Sequence, residues 1–254
     1  MDLIWHGTAA VEAVCRQGKI LFDPFVPLRG SPVKVNIDEY DGFFHIFVTH
    51  CHLDHIVDLP AIAKRNPKVV IYCTQTPYET LMRKGVPEKN LSLLHYEDKL
   101  TVNGFTVRVF HGKHAVLPKL DRKRLISWIR SPARRNIPYM LKEYKACQEK
   151  DETVCYHLEA DGKSVFLMGS MNLRHDVAYP TGADILVLPY NGWEDNLLPA
   201  VRVIERLKPK KVLVDHYDDT FPPVSSPTVD PTPLLQRYTG LVTPMALREV
   251  VQLS

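Results

Sequence analysis

The sequence predicts an α/β fold, and three observations carry that prediction. Short apolar, β-branched runs recur along the chain and alternate with segments of helical spacing. Tight-turn dipeptides sit between paired runs, and no linker divides the 254 residues. The expected organisation is one domain over 1–254.

In chain order, Val11 to Cys15 and Lys19 to Phe22 flank Gln17-Gly18 and read as a hairpin. Phe43 to Val48 is an apolar, aromatic run suited to a strand covered on both faces. Asp58 to Lys64 reads as a helix, Val69 to Cys73 as a strand, and Thr76 to Arg83 as a helix with Pro77 at an early position. Leu91 to Leu94, Leu100 to Val102 and Phe105 to Phe110 follow as strands, the last two joined across Asn103-Gly104. Thr153 to Leu158 and Ser164 to Met168 flank Asp161-Gly162, another hairpin signal. Ala183 to Pro189 is a core strand, Leu197 to Leu207 has helical apolar spacing, and Lys211 to Asp215 returns as a strand. Residues 220–233, rich in Pro, Ser and Thr, form a loop before a short closing helix and a tail strand.

The densest chemistry lies just after the Phe43 to Val48 strand. Thr49-His50-Cys51-His52-Leu53-Asp54-His55 places three imidazoles and a carboxylate in six consecutive positions. A rigid strand that feeds its ligands into the next loop can hold imidazole nitrogens at about 2.0–2.1 Å from a zinc-like ion. His50 and His52 can converge on one ion, and Asp54 and His55 on a neighbouring one. Cys51 reads as packing rather than as a nucleophile. His6 could line the site, but a lone His near a strand end is more often a hydrogen-bonded structural residue.

H-x-H-x-D-H after an apolar strand resembles the metal-binding motif of the metallo-β-lactamase superfamily. The resemblance implies an αββα sandwich of two mixed β-sheets flanked by helices, running from about Leu3 to Asp219. It also implies two divalent metal ions, zinc or manganese, with His50, His52 and His114 on the first and Asp54, His55 and His216 on the second. His111, in His111-Gly112-Lys113-His114, is the fallback for His114. Asp54 is the expected catalytic carboxylate. Asp23, in Asp23-Pro24-Phe25, matches the motif whose carboxylate orients the metal loop without binding metal.

One departure concerns Ser170. The superfamily usually has Gly-Asp after this strand, its carboxylate bridging both metals, whereas this chain has Gly169-Ser170. A neutral, monodentate hydroxyl is a poor bridge, so the second ion should bind more weakly. One lactamase subclass with serine at the matching place still holds two zincs, so two ions remain the expectation, with Ser170 supporting the site. His52, in place of the Glu of di-iron oxygen-reducing relatives, favours zinc or manganese over redox iron.

Metal-bound water has its pKa lowered to about 7, and the resulting hydroxide makes hydrolysis the natural chemistry. No P-loop, dinucleotide fingerprint or Ser-His-Asp elbow competes. Among hydrolytic relatives the chain most resembles the L-ascorbate-6-phosphate lactonase-like branch. The expected substrate is a small anionic ester, lactone or phosphodiester; the alternative is a non-catalytic, metal-stabilised binding module.

A basic helical insertion is expected at about 118–150. Residues 119–135 hold seven basic side chains against Asp121 alone, a net +6 in a chain of net +3. Ile137, Met140, Leu141 and Tyr144 recur at helical spacing after it, predicting two helices packed over the domain. Either they form a lid on which Arg134 and Arg135 gather the anionic substrate, or they are a solvated face. Nucleic acid is disfavoured, because basic and aromatic residues do not interleave. The opening Met1 to His6 has no basic and apolar leader pattern, no run approaches a membrane span, and five cysteines show no C-x-x-C spacing. A cytoplasmic protein is expected, with self-association into a homo-oligomer left open.

Overall fold

The computed structural model describes residues 1–117 and 119–253, so Pro118, at the start of the predicted insertion, and Ser254 lie outside the described residues. Strands β1 (Asp2–Trp5), β2 (Val11–Cys15) and β3 (Gly18–Phe22) form an antiparallel meander, with Val11 opposite Phe22 and Cys15 opposite Gly18. β4 (His45–Phe47) then runs parallel to β3. Helices α1 (Leu53–Ile56) and α2 (Leu59–Arg65) lead to β5 (Val70–Cys73), and α3 (Gln75–Arg83) to β6 (Leu91–Leu93). Phe44 is 49% exposed because β4 is shorter than the apolar run that contains it.

The second half repeats this plan. β7 (Lys99–Val102) and β8 (Phe105–His111) pair across Asn103-Gly104, where both residues take positive φ as a two-residue hairpin requires. After α4 (Arg122–Arg130) and α5 (Ile137–Ala146), β9 (Val154–Ala160) and β10 (Lys163–Met168) pair across Asp161-Gly162. Parallel strands β11 (Ile185–Pro189) and β12 (Val212–Asp215) bracket α6 (Leu197–Leu207). Next come α7 (Thr232–Arg237), β13 (Val242–Pro244) and β14 (Val250–Gln252).

These strands make two seven-stranded mixed sheets, ordered β14-β1-β2-β3-β4-β5-β6 and β13-β12-β11-β10-β9-β8-β7. Leu3, Phe22 and Phe47 of the first pack against Val107, Tyr156, Leu167 and Val187 of the second to form the central core. The outer face of the first sheet (Leu21, Ile46, Ile71) is covered by Ile56, Ile62 and Leu81 of α1, α2 and α3. That of the second (Phe166, Leu186, Val212) is covered by Val201 and Ile204 of α6 and Leu234 of α7. The result is the αββα sandwich that the sequence predicts. The tail supplies two strands where one was expected: β13 extends the second sheet and β14 closes the first. Three-residue strands held by backbone pairing have too few side chains to show a periodicity.

The insertion departs from expectation. α5 docks on the body through buried Met140 and Glu143, whereas α4 has no buried residue at all. Only one of the two predicted helices therefore packs over the sandwich.

Strand direction decides where the site forms. β3 and β4 are parallel; β10, β11 and β12 are parallel; and β8 shares their direction because each of β8 and β10 is antiparallel to β9. The sheets are tied together where β4 ends: Tyr156 Oη donates to the Val48 carbonyl at 2.5 Å and the Val154 amide to the Thr49 carbonyl at 2.9 Å. Tyr156→Phe removes the first bond while keeping the ring's packing. It should lower the unfolding free energy by about 1 kcal/mol in urea denaturation; an unchanged midpoint would show that this tie carries no stability.

Candidate metal centre

Every residue of the two expected ligand sets lies past the end of a strand, whereas the fallback His111 is the last residue of β8. His50 to His55 follow β4, His114 follows β8 and His216 follows β12. The fold brings them together as two adjacent trios. His50, His52 and His114 each offer a nitrogen, and these atoms all lie within 4.8 Å of one another; a carboxylate oxygen of Asp54 and a nitrogen each of His55 and His216 are gathered as closely. The trios adjoin through His50 and His55, whose ring centroids are 3.9 Å apart.

Hydrogen bonds decide which nitrogens are free. Thr49 Oγ1 donates to Asp23 Oδ2 at 2.6 Å, so it can only accept from His50 Nδ1, 3.0 Å away. That fixes the tautomer and leaves His50 Nε2 open, 3.2 Å from His52 Nδ1. His55 Nδ1 lies 2.9 Å from Asp23 Oδ2, so it donates there and its Nε2 faces Asp54 Oδ2 at 3.6 Å. His216 Nε2 meets the same oxygen at 3.2 Å, and its buried Nδ1 has no hydrogen-bond partner among the described residues. His114 Nδ1 donates to the carbonyl of Ala115 at 2.7 Å, which leaves its Nε2 unengaged. A metal-binding imidazole characteristically donates its other N–H in this way.

Electrostatics separates the trios. Burial, then the neighbouring imidazoles, push His50 well below its usual pKa and His52 down to about 3, so the first trio is neutral and its lone pairs are available. Burial alone would raise Asp54, but His55 and His216 override it and hold the carboxyl well below the usual range. Burial likewise opposes charge on His216, yet its bond to Asp54, with Asp215 and Asp218 nearby, raises it to about 9. An all-nitrogen trio beside a carboxylate with two imidazoles fits divalent transition cations by donor chemistry.

Surrounding residues hold the loops. Asp23 is buried and also accepts the Thr49 amide through Oδ1 at 2.8 Å. Ser170 Oγ accepts the Ala115 amide at 2.9 Å, and Asn172 Nδ2 donates to the His114 carbonyl at 3.0 Å, so the segment after β10 grips the His114 loop from two sides. Asp23, His216 and Thr8 have positive φ, and the His216 amide bonds the Thr8 carbonyl at 2.9 Å. Left-handed backbone at non-glycine residues is costly and gathers where geometry serves function.

His111 is elsewhere: its ring stacks on Tyr96 and its Nε2 lies 2.8 Å from the Asp151 carbonyl. His6 bonds Glu12 at 2.9 Å and belongs to neither trio. Cys51 is buried among apolar residues. Arg134 and Arg135 sit on an exposed 3₁₀ turn between α4 and α5, and their guanidinium groups have no hydrogen-bond or ion-pair partner among the described residues. Sequence reasoning gave no site role to Thr49 or Asn172, and it placed Tyr144 only on the apolar face of a helix, whereas its ring lies 6.4 Å from that of His52. Only Thr49, inside the motif, carried a signal.

The family described as Beta-lactamase superfamily domain matches residues 18–217, from the start of β3 to just past His216. This chain belongs to the metallo-β-lactamase superfamily. The UPF0173 metal-dependent hydrolase of Ligilactobacillus salivarius is 25% identical over 237 residues, covering 91% of this chain and 90% of the relative. Igni18, a metallo hydrolase from the archaeon Ignicoccus hospitalis, superposes with a TM-score of 0.62 at 20% identity, over 98% of this chain and 97% of that one. An isothiocyanate hydrolase from Delia radicum gut bacteria gives 0.63 at 15% identity, over 100% and 99%. The superfamily's sandwich is thus shared along the whole chain, with the two trios at one end.

Gly169 explains why this member has no side chain before Ser170. A Cβ there would stand 2.3 Å from Thr49 Cβ and 2.5 Å from Thr49 Oγ1, the hydroxyl on which Asp23, His50 and His55 converge. Gly169→Ala should destabilise the protein by about 2 kcal/mol through overpacking. A thermal midpoint equal to that of the parent protein would show that the Thr49 loop gives way freely.

Proposed function

We propose that the protein is a metal-dependent hydrolase acting on a small anionic ester, lactone or phosphodiester. The observation that carries this reading is the pair of adjacent trios, in which hydrogen bonds on the far sides of His50, His55 and His114 leave the facing nitrogens of those three rings free. The relatives named as metal-dependent hydrolases support it. His50, His52 and His114 would hold one divalent ion and Asp54, His55 and His216 a second. Nitrogen-rich sets favour zinc, and the carboxylate admits manganese. Such ions lower the pKa of bound water to about 7 and polarise a carbonyl or phosphoryl oxygen.

The chain's own groups supply the rest. Asp54, the one carboxylate in the trios, acts as the catalytic carboxylate. Asp23 and Thr49 keep the rings from rotating, and Ser170 fixes the His114 loop. Arg134 and Arg135 gather the anionic substrate, since a planar guanidinium matches carboxylate and phosphate oxygens. Residues 1–254 act as one cytoplasmic domain, with the insertion at about 118–150 overhanging the site.

Metal analysis of the purified protein, combined with a panel of phosphodiester, lactone and thioester substrates, tests the reading. His52→Ala should lose the first ion and all turnover, while Cys51→Ser keeps its metal content. Full metal occupancy in the His52 variant would refute the ligand set. Metal binding with no turnover of any substrate would leave a metal-stabilised binding module.

Neutralising Arg134 and Arg135 together should raise KM for an anionic substrate roughly tenfold without changing metal content, and salt should shrink the effect. Equal losses on a neutral substrate of similar size would make the insertion's role structural.

A further inference from the structure

The insertion holds one helix to the body and leaves the other outside. α5 is anchored by buried Met140, by an ion pair of Glu143 with Lys84, and by Asn136 Nδ2, which donates to the carbonyls of Arg29 and Pro222 at 2.8 Å each. α4 is a capped helix, the Asp121 carboxylate accepting the Arg124 amide at 2.7 Å, yet none of its residues is buried. It nonetheless carries Leu125, Ile126, Trp128 and Ile129. At about 100° per residue these four fall on one face, which Arg122 shares at the first turn, and Lys123, Arg124, Ser127 and Arg130 fall on the other.

The apolar face is open. Leu125, Ile126 and Ile129 are 45%, 39% and 56% exposed, and Leu117 and Leu120, leading into the helix, are 46% and 53% exposed. The seven basic side chains between Lys119 and Arg135 have no ion-pair partner among the described residues. Unpartnered apolar area beside uncompensated positive charge calls for a surface that offers both apolar depth and negative charge.

We infer that α4 docks on an anionic lipid bilayer, with Leu125, Ile126 and Ile129 entering the boundary between headgroups and acyl chains and Lys123, Arg124 and Arg130 reaching the lipid phosphates. Basic amphipathic helices lie in the membrane interface in this way, and each basic residue near an anionic leaflet adds to the attraction. A second copy is the less favourable occupant, because two-fold pairing of this face would set one +6 segment against another. The attachment is peripheral: no described helix is long and apolar enough to cross a membrane. α5, which follows α4, brings the Tyr144 ring to 6.4 Å from that of His52.

The test is flotation of the full-length protein with vesicles of phosphatidylcholine alone or of equimolar phosphatidylcholine and phosphatidylglycerol. The protein should float with the anionic vesicles, be released by high salt, and bind the neutral ones weakly. Ile126→Ser combined with Ile129→Ser should weaken binding about tenfold or more, as two side chains lose their burial. Lys123→Gln with Arg130→Gln should erase the preference for the anionic lipid. All four positions are exposed or carry exposed charge, and circular dichroism would verify that the variants fold. The proposal is overturned by failure to float, by binding that neither double variant weakens, or by dimerisation that the Ile126 and Ile129 variant abolishes without any vesicle binding. Turnover of a soluble substrate, measured on the same samples, separates a failure of docking from a failure of the hydrolase reading.

Discussion

Asp23 joins the metal loop to the sheet. It follows β3, and its carboxylate takes the Thr49 amide on one oxygen and the Thr49 hydroxyl and His55 Nδ1 on the other. A buried carboxylate is tolerable only when its lone pairs are satisfied by strong donors, and these three supply that. The same bonds choose the tautomers of His55 and, through Thr49, of His50. One interaction therefore stabilises the loop, closes the gap between neighbouring strand ends and decides which nitrogens are free.

Topology makes this local device sufficient. β3 and β4 run parallel in the first sheet, β8, β10 and β12 share one direction in the second, and the loops that follow them bring Asp23, the His50 to His55 loop, His114, Ser170 and His216 together. Active sites in sheets with parallel strands gather at the carboxyl ends for this reason. Strain gathers there too, with Thr8, Asp23 and His216 in left-handed conformations next to strands that are fully paired. The rigid sheets over-determine these backbones, which loops alone could not do.

The insertion follows a different logic. It is attached through α5 and Asn136, but most of its charge and several of its apolar residues are exposed. Since residues 119–135 carry net +6, the remainder of this +3 chain is net −3. The chain thus separates a closely packed sandwich from one appended surface with its own electrostatic character.

The sequence by itself determined the two hairpins of the second sheet, because apolar runs bounded by Asn103-Gly104 and Asp161-Gly162 leave little choice of pairing, and it placed α6 over Leu197 to Leu207. It also marked His50, His52, Asp54 and His55, since ligands packed into a few residues after a strand leave a local signature. Tertiary structure alone decided between His111 and His114: the loop held by Ser170 and Asn172 carries the second toward His50, while the first stacks on Tyr96. It alone brought His216 to Asp54 across 162 positions of chain, and gave Thr49 its three partners. It alone left α4 unburied, because helical periodicity reports that a face is apolar and cannot report what the face will meet.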